Sequence, residues 1–381
     1  AYVVVATAEA LTRSRLFAQK RFVRSGVAAL WPSAAMIIAL TVHPEGGALT
    51  LIWGFMIGSL AAVLWNLLPS GRKPALPAPV ESSDSLESAG RGGPRWIMVT
   101  LALGASGFLY PLIDRYLASY LSSGTIAALQ YAALVASPPV AIWGLAIGTV
   151  ILPYLSEKYH RSNVEEARQI IDRAVRWALI GSLPVAVWLA FFGQELISLL
   201  LERGAFDSAS RAVTGQLLRA YGLWLVPAVL CAVLGRVFYA ALKWRPVLMA
   251  AVTGLVTKLI LSIWLVRVQG ASGLVMATAA AAACTSGVLL FLLRRELAYG
   301  SVAGWARSGI ALVGVAAAGA LLGVGIGHLF PELTWRANSV LRVVSGTAAG
   351  VLLLLLFGTR LGVTEARRLV AWLTARPLHR D

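Results

Sequence analysis

Apolar residues arrive along this chain in long unbroken blocks separated by short polar stretches. Val247–Val266 and Leu312–Gly327 are examples. Roughly 17–25 mostly apolar residues is the length of an α-helix that crosses a bilayer. Taken in order, the blocks predict a partial span over 1–11 and spans near 26–42, 49–68, 96–118, 125–152, 177–200, 220–242, 246–266, 272–293, 308–327 and 339–358. Ten-residue segments of alternating polarity are absent, so helices rather than barrel strands are predicted. The pattern gives an all-α polytopic membrane protein.

Composition agrees. The 381 residues are 58% hydrophobic and 13% charged, with a mean hydropathy of +0.76. A soluble domain carries about 25% charged residues, so this chain cannot cover a water-facing globule. A soluble enzyme, a disordered chain and a secreted disulfide scaffold are excluded. Cys231 and Cys284 both lie inside apolar blocks without Cys or His neighbours in sequence, and read as packing residues. The first residues, AYVVVATAEA, lack the basic start and cleavage site of a signal peptide and read as the tail of a helix that begins upstream.

The net charge of +16 raises the question of nucleic acid, but its distribution answers otherwise. Of the 33 Lys and Arg, 24 fall in one alternating set of connections: 12–25, 69–95, 153–176, 243–245, 294–307 and 359–381. Six fall in the opposite set, and Arg115, Arg236 and Lys258 fall within spans. A bias of this size over short loops is the positive-inside pattern, which places the basic side and the C-terminus in the cytoplasm. No aromatic-interleaved basic stripe marks a nucleic-acid surface. Within the connections, the Pro-, Ser- and Gly-rich stretch over 70–95 reads as a flexible linker. Ser156–Arg176, with Val164, Ala167, Ile170, Ile171 and Val175 apolar between charges, reads as an amphipathic helix on the membrane surface.

The candidate chemistry lies within the spans. Phosphate-loop, serine-elbow and paired-His zinc motifs are all absent, and no segment is long and polar enough for a nucleotide-binding domain. Catalysis, cofactors and metal are therefore not expected, and transport would draw on an ion gradient, the membrane potential or the substrate gradient. An ionisable group at mid-membrane costs about 2.5–3.5 kcal/mol on the insertion scale, so each one needs a reason. Arg236 and Arg115 lie near span ends and can snorkel. Lys258 lies mid-span, and the acid available to it is Asp114, so the two are expected to pair, as a helix lock or as part of a transport site. Pro138 and Pro139 interrupt the 125–152 span, followed by Gly144 and Gly148, the sort of break that transporters place at binding sites.

Several strings in fixed order resemble the MurJ/MviN family of lipid II flippases, within the larger group of multidrug and oligosaccharidyl-lipid exporters. They are DRYLASYLSSGTIAALQYA followed by GLAIGTVILPYLS within Asp114–Ser156, VEEARQIIDRAVR, LLERGAFD at 200–207, AYGLWLVP, GRVFYAALKWRP and LSIWLVRVQGASGLVMAT. Earlier, AQKRFVRSGVAALWPSAAMIIA resembles the region after the family's fourth helix. The resemblance implies a two-lobe flippase fold. Residues 1–69 would be the C-terminal part of the first lobe, 70–95 the linker, 96–293 the second six-helix lobe, and 294–381 two C-terminal helices, which form a lipid-tail groove, plus a tail. It also implies flipping of lipid II by alternating access in the bacterial cytoplasmic membrane. The partners implied are the lipid-linked cell-wall precursor, membrane lipid and cell-wall synthesis proteins.

Two departures from the family pattern stand out. Aligned on Tyr131–Ala132, the family's Asp-Arg pair and nearby acid fall on Ala133, Leu134 and Ser137. Leucine offers none of arginine's bidentate grip on pyrophosphate. The resemblance also implies a cation site of an Asp, an Asn, a second acid and a Thr. Here Asp114 and Thr278 match, Lys258 stands at the Asn position, and Ser262 stands at the second acid. The expectation is that the Lys258 ammonium takes the place of sodium. Two other readings stay open: a flippase of another lipid-linked oligosaccharide, favoured by Leu134, and a non-transporting homologue serving as a cell-wall scaffold. A multidrug antiporter fits less well, because the matching strings belong to the flippase branch.

Overall fold

A computed structural model of the chain describes residues 22–43, 46–68, 107–160, 164–204, 206–241, 243–297, 302–330 and 334–357, with a few positions between 5 and 16. It divides into two compact units, 1–92 and 93–381. The partial span over 1–11, the linker, residues 96–106 and the tail beyond 357 fall mostly or wholly outside the described residues.

The first unit holds α1 (Phe22–Ala28), α2 (Trp31–Val42) and α3 (Gly47–Leu67). Bilayer-embedded helices gain no hydrophobic drive from each other, so close approach depends on small residues. Gly54 and Gly58 supply it: a Cβ at Gly58 would lie 2.5 Å from Pro32 Cα, on the backbone of α2. The α3 C-terminus leaves carbonyls unpaired, and the Arg24 guanidinium donates to two of them, Trp65 O and Leu68 O.

In the second unit, residues 107–118 form α4 and α5 runs Thr125–Pro139. Gly124 (φ 86°) turns the chain between them in a backbone region that other residues avoid. Proline lacks an N–H, so Pro138 and Pro139 each remove a helical hydrogen bond. The helix continues nonetheless, re-registering into a seven-residue π-helical segment, Val140–Ala146, before α6 (Ile147–His160). Next come α7 (Val164–Leu201), α8 (Ser208–Ala240), α9 (Trp244–Gln269), α10 (Ala271–Leu297), α11 (Val302–His328) and α12 (Trp335–Phe357). Helix α8 is central, packed against α5, the π segment, α6, α7 and α10. Its buried positions include Leu218, Tyr221, Leu225, Val229, Val233 and Val237, at the three-and-four spacing of one helical face.

Among the described residues, seven helices are long and apolar enough to cross a membrane. The chain is a multi-pass membrane protein. Two boundaries differ from the hydropathy reading. Residues 201–219, expected as a loop with the next span starting at 220, are helical from Ser208, because Asp207 caps the helix by accepting from Ser210 N at 2.8 Å. The amphipathic stretch ending at Arg176 is no separate surface helix; from Val164 it runs unbroken into the 177–200 span, which kinks further on at Phe192 (φ −105°, ψ 19°). Ala167, Ile171, Ala174 and Val175 are buried, so its apolar face is committed to protein.

Helices α11 and α12 form a tight hairpin. Gly319, Gly323 and Gly327 recur every fourth residue on α11; the first two meet Gly350 and Gly346 on α12, and the third meets Arg342 and Asn338. A Cβ at Gly319 would sit 2.5 Å from Gly350 Cα, and one at Gly323 would sit 2.5 Å from Gly346 Cα. Both contacts are to backbone, which cannot yield, so the separation of the pair is set by glycine.

Candidate functional site

Lys258 lies 14 residues from the start of α9 and 11 from its end, about 21 Å and 17 Å along the axis. Its side chain is fully buried. An ammonium has three protons to donate, and all three find oxygen. Nζ donates to Asp114 Oδ1 of α4, to Thr278 Oγ1 at 2.6 Å and to Leu274 O at 3.1 Å on α10. The Thr278 hydroxyl in turn donates to Leu274 O at 2.9 Å. A carboxylate, a hydroxyl and a carbonyl thus surround one positive charge. Ser262, one turn further along α9, is buried without joining them, and no partner for its hydroxyl is present among the described residues.

Asp114 and Thr278 line a chamber of about 620 Å³ whose wall includes α8 residues from Tyr221 to Tyr239. That is 18 residues of helix, or about 27 Å. Ala133 and Ser137 of α5 line it as well. The Ser137 hydroxyl donates to its own helix at Leu134 O, 3.3 Å. Leu134 is 59% exposed and absent from the chamber wall. The far end carries Arg236 and Tyr239.

A second charged group was missed in the sequence. Glu195 of α7, 5% exposed, lies 3.8 Å from Arg219 of α8 and 3.6 Å from Arg342 of α12. Arg219 falls in the stretch 201–219, expected as a loop, yet lies within α8, and Arg342 lies near the start of the expected 339–358 span, within α12. Glycines make the room: a Cβ at Gly193 would lie 2.7 Å from Arg219 Cγ, and one at Gly327 would lie 2.3 Å from Arg342 Cγ. Nearer the helix ends, Arg211 donates to Glu202 Oε1 at 2.7 Å and stacks 4.6 Å over Trp335. Trp335 Nε1 donates to Ser198 Oγ at 3.2 Å. Polar bonds therefore fasten the α11–α12 hairpin to α7 and α8. Between hairpin and α7 lies an apolar groove of about 280 Å³, lined by Pro184, Trp188, Leu312, Ala316, Gly346 and Gly350 among others.

A chamber walled by α4, α5, α8, α9 and α10, a π-distorted helix beside it and a clasped helix pair with an apolar groove make up a polytopic helical membrane protein. The sequence model of the lipid II flippase MurJ family matches residues 1–346, and the chain belongs to that family. It is 26% identical over 324 residues to the lipid II flippase MurJ of Burkholderia cenocepacia, covering 83% of this chain and 62% of that protein. It is 34% identical over 158 residues to the probable lipid II flippase MurJ of Rhizobium tropici, covering 42% of this chain and 30% of the relative. The fold is that of a solved lipid II flippase MurJ in an inward closed conformation, with a TM-score of 0.62 at 19% identity, over 88% of this chain and 68% of the other. The chain thus spans less than two thirds of the length of these curated relatives.

Proposed function

We propose that the protein carrying this chain flips an undecaprenyl-pyrophosphate-linked peptidoglycan precursor, lipid II, across the bacterial cytoplasmic membrane by alternating access. It acts as a transporter with no catalytic step, with its C-terminus in the cytoplasm. The observation that carries this reading, given the family, is the apolar groove between α7 and the α11–α12 hairpin. A groove walled by carbon suits an amphiphile whose isoprenoid tail stays in an apolar setting while its head crosses. Expression in a bacterium depleted of its own lipid II flippase tests it, with rescue as the expected result. Failure to rescue despite confirmed membrane insertion would refute lipid II as cargo. It would favour another lipid-linked oligosaccharide, in keeping with exposed Leu134 at the family's arginine position, or a scaffold role.

The cluster of Asp114, Lys258 and Thr278 belongs to the same reading. Carboxylate, hydroxyl and carbonyl oxygens are the ligands a hard cation takes, and here they already hold an ammonium. A sodium ion does not fit beside it: Ser262 offers no carboxylate, and the tethered charge repels a second cation. The lobe is read as permanently neutralised by Lys258 and uncoupled from sodium.

A further inference from the structure

Helix α7 is longer than a bilayer needs. Its 38 residues extend about 57 Å, against about 40–45 Å for a membrane with its headgroups. The apolar stretch begins only at 177, so Arg173, one turn earlier, falls at the level of lipid headgroups. On α6 the apolar stretch ends at 152, which puts Tyr154 at the same level. Trp177 marks the border, where amphipathic rings gather.

A cleft of about 620 Å³ lies between these two helices, distinct from the chamber beside α8. Its wall runs from Ala146 to Tyr154 on one side and from Ile170 to Trp177 on the other. Eight residues of helix make about 12 Å, under half of a hydrocarbon core of about 30 Å, so the cleft belongs to a single leaflet. Val150 and Tyr154 on its wall are each 49% exposed, which leaves it open at the surface. A space of this size left unfilled forfeits dispersion contacts along its whole lining.

Arg173 is the charged residue of that wall. Its neighbours on α7 are paired, Arg168 with Glu165 at 3.5 Å and Arg176 with Asp172 at 2.7 Å. Among the described residues no carboxylate lies within ion-pair distance of Arg173 itself. Basic pockets between membrane helices on the cytoplasmic side take anionic headgroups. We propose that this cleft holds an anionic phospholipid, its phosphate on Arg173 and the upper part of an acyl chain along Ile147 and Ile151. The leaflet is the cytoplasmic one on the orientation proposed above. The site stands on the geometry of the second unit and does not depend on the cargo.

The test is contact quenching of Trp177 by bromine-labelled acyl chains. The protein is placed in phosphatidylcholine nanodiscs that carry a rising fraction of brominated phosphatidylglycerol or brominated phosphatidylcholine. The signal of Trp177 is the difference between the unaltered protein and Trp177→Phe. Val150→Trp in the Trp177→Phe background gives a second reporter on the same wall. Phosphatidylglycerol is expected to reach half-quenching at about a fivefold lower fraction than phosphatidylcholine, the size of one basic contact. Arg173→Gln should abolish that preference and Arg173→Lys should keep most of it. Arg168→Gln, which removes the same charge outside the cleft, should leave it intact. Glycerol phosphate in solution should displace nothing. Quenching by neither lipid, equal quenching by both, or equal losses in the two Gln variants would overturn the site. Displacement by glycerol phosphate would overturn the lipid as its occupant.

Discussion

Replacing Lys258 with Met keeps the length and burial of the side chain and removes its charge. Asp114, its side chain 18% exposed, then faces the membrane interior without a cation, and the Thr278 hydroxyl loses its donor. The carboxyl must either stay charged or take up a proton. Protonating a carboxyl of ordinary pKa near 3.9 at pH 7 costs about 4 kcal/mol, at 1.36 kcal/mol per pH unit. That agrees with the roughly 3–5 kcal/mol measured when one partner of a buried ion pair is removed. Because folding of the variant then takes up a proton, its penalty shrinks as pH falls, to about 1.5 kcal/mol at pH 5. Lys258→Met with Asp114→Leu removes both charges and should recover most of the loss, since apolar replacement of a whole buried pair is often neutral or stabilising. The assay is equilibrium unfolding in mixed micelles of the wild type, both single variants and the double, at pH 5 and pH 7. A coupling energy below about 0.5 kcal/mol, the size expected of independent sites, would refute the reasoning. So would a Lys258→Met penalty that does not change with pH.

Three further outcomes follow from the same structure. Lys258→Asn with Ser262→Asp should make stability depend on sodium, by about 2.7 kcal/mol at one hundred times the dissociation constant; sodium-dependent stabilisation of the unaltered protein would contradict the tethered-cation reading. Glu195→Gln leaves Arg219 and Arg342 facing each other without an anion, and should raise hydrogen exchange across 335–353 while leaving α9 and α10 protected. The Glu202 carboxyl is held below the usual carboxylate range, first by the Ser198 hydroxyl and then by Arg211, so its stabilising contribution is full above about pH 4.5 and is lost as pH falls through its lowered folded-state value. Unfolding titrations of wild type and Glu202→Gln should accordingly converge at low pH and separate above it.

Hydropathy placed the helices well wherever burial and lipid exposure call for the same residues. It failed where they part. The first three turns of α8 carry Ser208, Ser210, Arg211, Thr214, Gln216 and Arg219, which average as a loop. Yet Thr214, Leu217 and Leu218 face protein, and Asp207 caps the start. A stretch whose polar residues meet neighbouring helices cannot be recognised by an average of transfer energies. The same blindness hides the Glu195 group, because Arg219 falls in that stretch and Arg342 sits among apolar residues near the start of the 339–358 span. Gly193 and Gly327, which make room for those arginines, were the available signal, but each pairs with its arginine only through the fold.

Lys258 and Arg236 show how far charge alone can be read. Both are cations inside spans, and their positions suggested a buried pair for the first and an interfacial tip for the second. The pairing was legible because a lysine more than three turns from either helix end has to bring its own acid, and Asp114 was at hand. Arg236 looked ordinary, since a guanidinium one turn from a helix end can reach water. What separates them is donor satisfaction. Lys258 spends all three protons on Asp114, Thr278 and Leu274, so it holds three helices together and has nothing left for a ligand. Arg236 spends one donor on its own helix, while Gly148 leaves room for its Cδ and Nε. A charge deep in a span must be satisfied internally and so locks the lobe, whereas one a turn from a helix end needs no such set of partners.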